Sequence, residues 1–187
     1  IKLEKPIFLM TYHPATLEND GNIELKNLLS VLTKIKGTLI ITGTNVDPGG
    51  QEITKIYNNF LSVNHKDLKT HFFNNLGFRN YLSLMSFADA VIGNSSSGVI
   101  EAPAMGVPTL DIGSRQKGRP RAPSVLNTDY KVENIQKQLK KVLSDEQKII
   151  ASKLETPYIG GNVAKNIVNI IENISLDKNL KKPFYDI

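Results

Sequence analysis

Short apolar runs rich in β-formers alternate along this chain with longer stretches whose apolar residues recur at helical spacing. Parallel strands need a crossover helix between them, so this alternation reads as βα units wound around a parallel sheet. The first strand is expected from Pro6 to Tyr12. The turn-forming Asn19-Asp20-Gly21-Asn22 then introduces a helix carrying Ile23, Leu28, Leu29, Leu32 and Ile35, which Gly37 stops. Thr38 to Thr42 follows as a strand, Gly43 to Gly50 as a loop, Gln51 to Leu61 as a helix and Leu68 to Phe73 as a third strand. Tyr81 to Phe87 reads as helix and Asp89 to Gly93 as strand; Gly98 to Met105 is a helix distorted by Pro103, and Val107 to Ile112 returns as a fifth strand. A basic loop covers 113–123, a short strand is placed at Ser124 to Leu126, and Lys131 to Leu143 and Asn162 to Ile174 are amphipathic helices. The expected fold is a doubly wound, Rossmann-like α/β sheet with helices on both faces. Such sheets bind ligands outside the carboxyl ends of the strands, where the strand order reverses.

The length of 187 residues suits one domain, and 40% apolar with 22% charged residues is the balance of a folded soluble protein. With no cysteine, neither a disulfide framework nor a thiolate metal site is available, which accommodates a reducing, cytoplasmic compartment. No apolar run approaches the roughly 20 residues that cross a bilayer, and the start lacks a signal peptide's apolar region, so neither membrane nor secretion is expected. The formal charge is +5, but the lysines are scattered. No basic stripe is interleaved with stacking aromatics, so a small phosphorylated ligand is expected rather than nucleic acid. HExxH, CxxC and Walker patterns are missing, and no metal or cofactor is expected.

Four segments fall at strand ends and carry the chemistry. Gly93-Asn94-Ser95-Ser96-Ser97-Gly98 joins a strand to a helix. Small residues let the backbone approach an anion, and helix-start amides lack internal partners, so a phosphate fits there. The alternative is that Ser97 only caps the helix. Glu101, one helical turn on, either accepts from a ribose hydroxyl pair or is merely a glutamate near the positive end of the helix dipole. Gly113-Ser114-Arg115-Gln116-Lys117-Gly118-Arg119-Pro120-Arg121 sets up to four cations beside the serine turn, and arginine's planar donors match phosphate oxygens. His13, in Thr11-Tyr12-His13-Pro14, ends the first strand, where an imidazole either bonds a phosphate and shuttles a proton or is paired structurally.

Taken together with Gly43-Thr44-Asn45-Val46-Asp47, these segments resemble the C-terminal half of hydrolysing UDP-N-acetylglucosamine 2-epimerases, in order and spacing, across nearly the whole chain. The Gly-Asn-Ser run leading to Glu101-Ala102-Pro103, then the Arg-Gln-Lys-Gly-Arg loop, is similar to the sialic-acid-pathway branch. The resemblance implies the second half of a two-domain GT-B-type fold: a single UDP-binding domain over 1–187, with 161–187 a crossing helix and tail reaching toward an N-terminal domain. It implies Ser95 and Ser96 at the diphosphate, Arg115 on the phosphates, Glu101 on the ribose, His13 and Asn45 near phosphates and sugar, and Ser97 and Arg119 among the UDP-binding residues. The Gly77 to Tyr81 stretch, through Phe78 and Tyr81, would wall the uracil. In this family UDP is eliminated to give a 2-acetamidoglucal, and water adds with inversion at C2 to release N-acetylmannosamine. The main acid/base carboxylates are implied in the N-terminal domain, so this chain alone is expected to be inactive, and the full-length protein is expected to be a homo-oligomer. Related enzymes act on UDP- or GDP-linked 2,4-diacetamido sugars, which leaves sugar and base open. Two rival readings are a GT-B glycosyltransferase donor domain and a non-catalytic nucleotide-sensing module. Retaining transferases often carry two glutamates eight positions apart, whereas Gly93 and Thr109 flank Glu101 at those offsets.

Overall fold

All five residues of β1, Ile7–Thr11, are buried, which is what a central strand covered on both faces requires. Its side chains alternate between two cores. Phe8, Met10 and Tyr12 join the larger cluster, while Ile7 and Leu9 join the smaller one. In the computed structural model, residues 1–14, 21–44, 48–63, 65–158 and 160–174 are described. The other strands are β2 (Gly37–Thr42), β3 (Leu68–Phe73), β4 (Ala90–Gly93), β5 (Thr109–Ile112) and β6 (Val125–Thr128). They form one six-stranded parallel sheet in the order β3-β2-β1-β4-β5-β6. The order reverses between β1 and β4, and this is the Rossmann-like topology expected from the alternation.

Helices α1 (Gly21–Leu32), α2 (Gly50–Leu61) and α5 (Val132–Val142) supply Leu28, Ile53 and Ile135 to the larger core. On the opposite face, α3 (Gly77–Phe87) and α4 (Ser97–Ala104) supply Met85 and Ala102. Most observed ends lie within a few residues of those expected, with three informative differences. First, α3 begins four residues early, at Gly77, so the stretch expected to wall a ligand is its first turn. Second, β6 runs to Thr128, because Ile112 pairs with it and extends the edge of the sheet. Third, α6 (Asp145–Ser152) was not anticipated. Its signal is a capping-box spacing, Ser144 three residues before Gln147, and the Ser144 hydroxyl accepts from the Gln147 N–H at 3.2 Å.

Backbone contacts divide the chain into Ile1–Pro157 and Tyr158–Ile187. The second unit contains α7 (Val163–Asn173), whose apolar residues Val163, Ile167, Ile170 and Ile171 are exposed. The basic tail at 181–187 lies outside the described residues, as do Asn19 and Asp20 of the first expected turn. Among the described residues, no helix is long and apolar enough to cross a membrane.

Candidate functional site

The carboxyl ends of β1 and β4 lie side by side, with Thr11 in register with Gly93, so the loops that follow them open at the reversal point. A cavity of about 360 Å³ occupies this mouth. Its walls come from the ends of β1 and β2 (Thr11, His13, Thr42, Thr44), from the start of α3 (Gly77, Phe78, Tyr81) and from Ser95 and Ser97 at the start of α4. Five residues of the expected site therefore share one cavity: His13, Phe78, Tyr81, Ser95 and Ser97. Ser96, Glu101, Arg115 and Arg119 are not on its wall, and Asn45 lies outside the described residues.

A chain of hydroxyls forms part of the cavity wall. Thr42 Oγ1 lies 2.6 Å from Thr11 Oγ1, which lies 3.2 Å from Tyr81 Oη. Tyr81 Oη is 2.7 Å from Ser97 Oγ, and Ser97 donates to Ser95 Oγ at 3.1 Å. A hydroxyl has one proton, so with Ser97 donating to Ser95, Tyr81 donates to Ser97; Thr42 donates to the Met10 carbonyl at 3.4 Å and therefore accepts from Thr11. The donations from Tyr81 and Ser97 run toward Ser95 and polarise one another along the way. The Ser95 proton is then left for a ligand, and the polarised end of the chain faces the cavity. Ser96 at the α4 N-cap makes no side-chain cap bond among the described residues, and Ser95 Oγ accepts the Ser97 N–H at 3.4 Å. Tyr81 thus contributes through its hydroxyl as well as its ring. Tyr81→Phe should lower the unfolding free energy by about 1 kcal/mol, read as a lower urea midpoint at unchanged slope; an unshifted midpoint would show that this chain of bonds carries no stability.

His13 is half-buried, with Nδ1 3.3 Å from Thr44 Oγ1. Its backbone N–H donates to Asn94 Oδ1 at 2.7 Å. From the far side, Arg115 Nη1 donates to the Asn94 carbonyl at 3.1 Å, and Gln116 Nε2 donates to the same oxygen at 2.8 Å. Arg115 is thereby held beside the serine turn. Arg119 is exposed, and Phe78, 75% exposed, sits on the lip. Glu101 is half-buried in α4, and its Oε2 has no hydrogen-bond partner among the described residues.

Arg121 is engaged elsewhere. Its Nη2 and Nε lie 2.9 and 3.3 Å from Asp111 Oδ2, at the end of β5, and Asn127 Nδ2 adds a third bond at 3.0 Å. Burial pushes the Asp111 carboxyl above its ordinary value, and Arg121 and Asn127 pull it back down. Of the four cations in the loop, this one ties its far end to the sheet. Sequence reasoning singled out neither Asn94 nor Gln116, both almost completely buried, nor the threonines that end β1 and β2. The only signal for the threonines was their place as the last residues of neighbouring strands.

A family model described as "UDP-N-acetylglucosamine 2-epimerase" matches residues 1–172. The chain is 39% identical to a Campylobacter jejuni protein named GDP/UDP-N,N'-diacetylbacillosamine 2-epimerase (hydrolyzing), over 100% of this chain and 48% of that one. It is 34% identical to an Escherichia coli polysialic acid biosynthesis protein, P7, over 99% of this chain and 47% of that one. Among solved structures, Neisseria meningitidis UDP-GlcNAc 2-epimerase bound to UDP-GlcNAc superposes with a TM-score of 0.61 at 21% identity, covering 92% of this chain and 46% of that one. That likeness is one of fold. The chain spans about half the length of the curated relatives it matches.

Proposed function

Because this chain belongs to the UDP-N-acetylglucosamine 2-epimerase family, we propose that it is the nucleotide-gripping, C-terminal domain of a hydrolysing member, with 161–187 crossing toward the other half. The observation that carries this reading is the cavity at the strand-order reversal, which His13 and a polarised serine hydroxyl line, with Arg115 bonded to the Asn94 carbonyl in the adjoining turn. Hydroxyl and guanidinium donors at a helix start suit a diphosphate. Ser95, Ser96 and Ser97 hold the diphosphate in this reading, and Arg115 and Arg119 complete its charge. Phe78 and Tyr81 flank the uracil. Glu101 turns its half-buried carboxylate to the ribose, and Asn45 and His13 meet the sugar side.

The reaction of the whole protein is hydrolysis of a UDP-linked N-acetylhexosamine with inversion at C2. UDP leaves by elimination and water then adds to the resulting glycal. This chain's residues stabilise the departing diphosphate, since preorganised donors aimed at developing charge lower the barrier most. Proton transfer at C2 falls to carboxylates in the other half, and the complete enzyme is a homo-oligomer. The hydrolysing relatives named for diacetylbacillosamine support a 2-acetamido sugar, and the Campylobacter jejuni name, which covers both GDP and UDP, makes the base a point to test.

Titrating UDP, UDP-N-acetylglucosamine, GDP and ADP against this chain in a calorimeter should show a uridine preference. Equal affinity for all four would reduce the site to a general anion cradle. Release of N-acetylmannosamine by this chain alone would overturn the assignment of proton transfer to the other half.

A further inference from the structure

β1 and β4 stay in register as far as Thr11 and Gly93, beyond which each strand gives way to its loop. The side-chain amide of Asn94 supplies one more rung between them. Its Oδ1 accepts the His13 N–H at 2.7 Å, and its Nδ2 donates to the His13 carbonyl at 2.9 Å. Only this amide orientation sets an acceptor against the N–H and a donor against the carbonyl. The backbone carbonyl of the same residue takes the two donors from the loop after β5, Arg115 and Gln116. Asn94 is 1% exposed and Gln116 2%, so water cannot stand in for these bonds. One residue therefore ties together the loops after β1, β4 and β5.

We infer that Asn94 is the positioning residue of the diphosphate site: it holds the His13 loop and the Arg115 loop at the separation that a single ligand needs. Arginine offers five donors and spends one on Asn94, which orients the rest of the fork. Aspartate would keep the acceptor for the His13 N–H but set an oxygen against the His13 carbonyl. Alanine would remove both bonds. The inference rests on the nucleotide reading above, and it predicts a split that a residue serving only the fold would not produce, with the phosphate end of the ligand affected and the base end spared.

The test is calorimetric titration of this chain and its Asn94→Ala, Asn94→Asp, Arg115→Ala and Asn94→Ala/Arg115→Ala variants with UDP, inorganic pyrophosphate, uridine and ADP. Both Asn94 substitutions should weaken UDP and pyrophosphate by roughly tenfold or more and leave uridine unchanged. Arg115→Ala should cost clearly less in the Asn94→Ala background than in the wild type, because the Asn94 carbonyl that takes the guanidinium is no longer fixed against the His13 loop by the side-chain amide. If Asn94→Ala does not fold, the near-isosteric Asn94→Asp carries the comparison. Wild-type affinity for pyrophosphate and UDP in the Asn94 variants, fully additive losses, or equal loss of uridine would each overturn the inference. A wild-type chain that binds ADP as well as UDP would overturn the nucleotide reading alone, since pyrophosphate still reports on Asn94.

Discussion

Gly93→Ala should leave the chain unfolded, or less stable by about 4 kcal/mol or more, the range reached when strain and a core clash act together. Gly93 is the last residue of β4 and has φ +131°, a region that side chains other than hydrogen rarely enter. A Cβ built there would lie 2.0 Å from the Thr11 carbonyl oxygen. The atom in the way is backbone of the neighbouring central strand, so relief requires parting β1 from β4 at the reversal point. The same shift would open the cavity and pull Asn94 from His13. Gly77→Ala is the internal control. Gly77 also has positive φ, at +69°, but a Cβ there would meet nothing within 4 Å. Its cost should be the conformational one alone, about 1 kcal/mol. Urea unfolding of both variants decides the matter: losses of equal size would mean that the close approach of β1 and β4 is not a constraint.

Arg121→Ala should cost about 3 kcal/mol at neutral pH, because it strands a buried carboxylate. Asp111 is 1% exposed and receives its charge partner from Arg121 alone among the described residues. Burial already raises this carboxyl above its ordinary value of 3.8, and the guanidinium restrains the rise. A raised carboxyl binds its proton more tightly in the folded chain than in the unfolded one. Its contribution to stability is therefore most favourable at low pH and declines as pH climbs from the ordinary value through the raised one. Removing Arg121 raises it further and deepens the penalty on the charged form. The gap between wild type and variant should thus be widest near neutrality and narrow on acidification. Urea midpoints measured across that range test this, and a gap indifferent to pH would mean that Asp111 is not the group left stranded. Because Arg121 anchors the far end of the loop that carries Arg115, the variant should also bind UDP more weakly.

How much of the site was legible follows from how far apart its partners lie in the chain. The serine run, His13 and the arginine loop stood out because each is a local cluster of unusual composition at the end of an apolar run. The Asn94 to His13 bonds join residues 81 apart, and the bonds from Arg115 and Gln116 to Asn94 span 21 and 22. No local pattern marks such a pair. Asn94 reads as one more turn-former until the sheet order sets β1 beside β4. Arg121 and Arg115 look alike in the loop, and only the end of β5 shows that one faces a buried carboxylate while the other faces the serine turn. Phe78 and Tyr81, expected together as an aromatic wall, part company once α3 starts at Gly77: one ring stands on the lip and the other turns its hydroxyl into the wall.

The sequence by itself determined the alternation of strand and helix, the parallel α/β class and the loops that follow the strands at the candidate site. Those properties arise from hydrophobic period and turn chemistry, which act over a few neighbouring residues. Tertiary structure alone decided which polar groups meet. A buried donor or acceptor must find its partner wherever the sheet brings one, and strand order, with β4 inserted beside β1, is a property of the whole chain rather than of any segment.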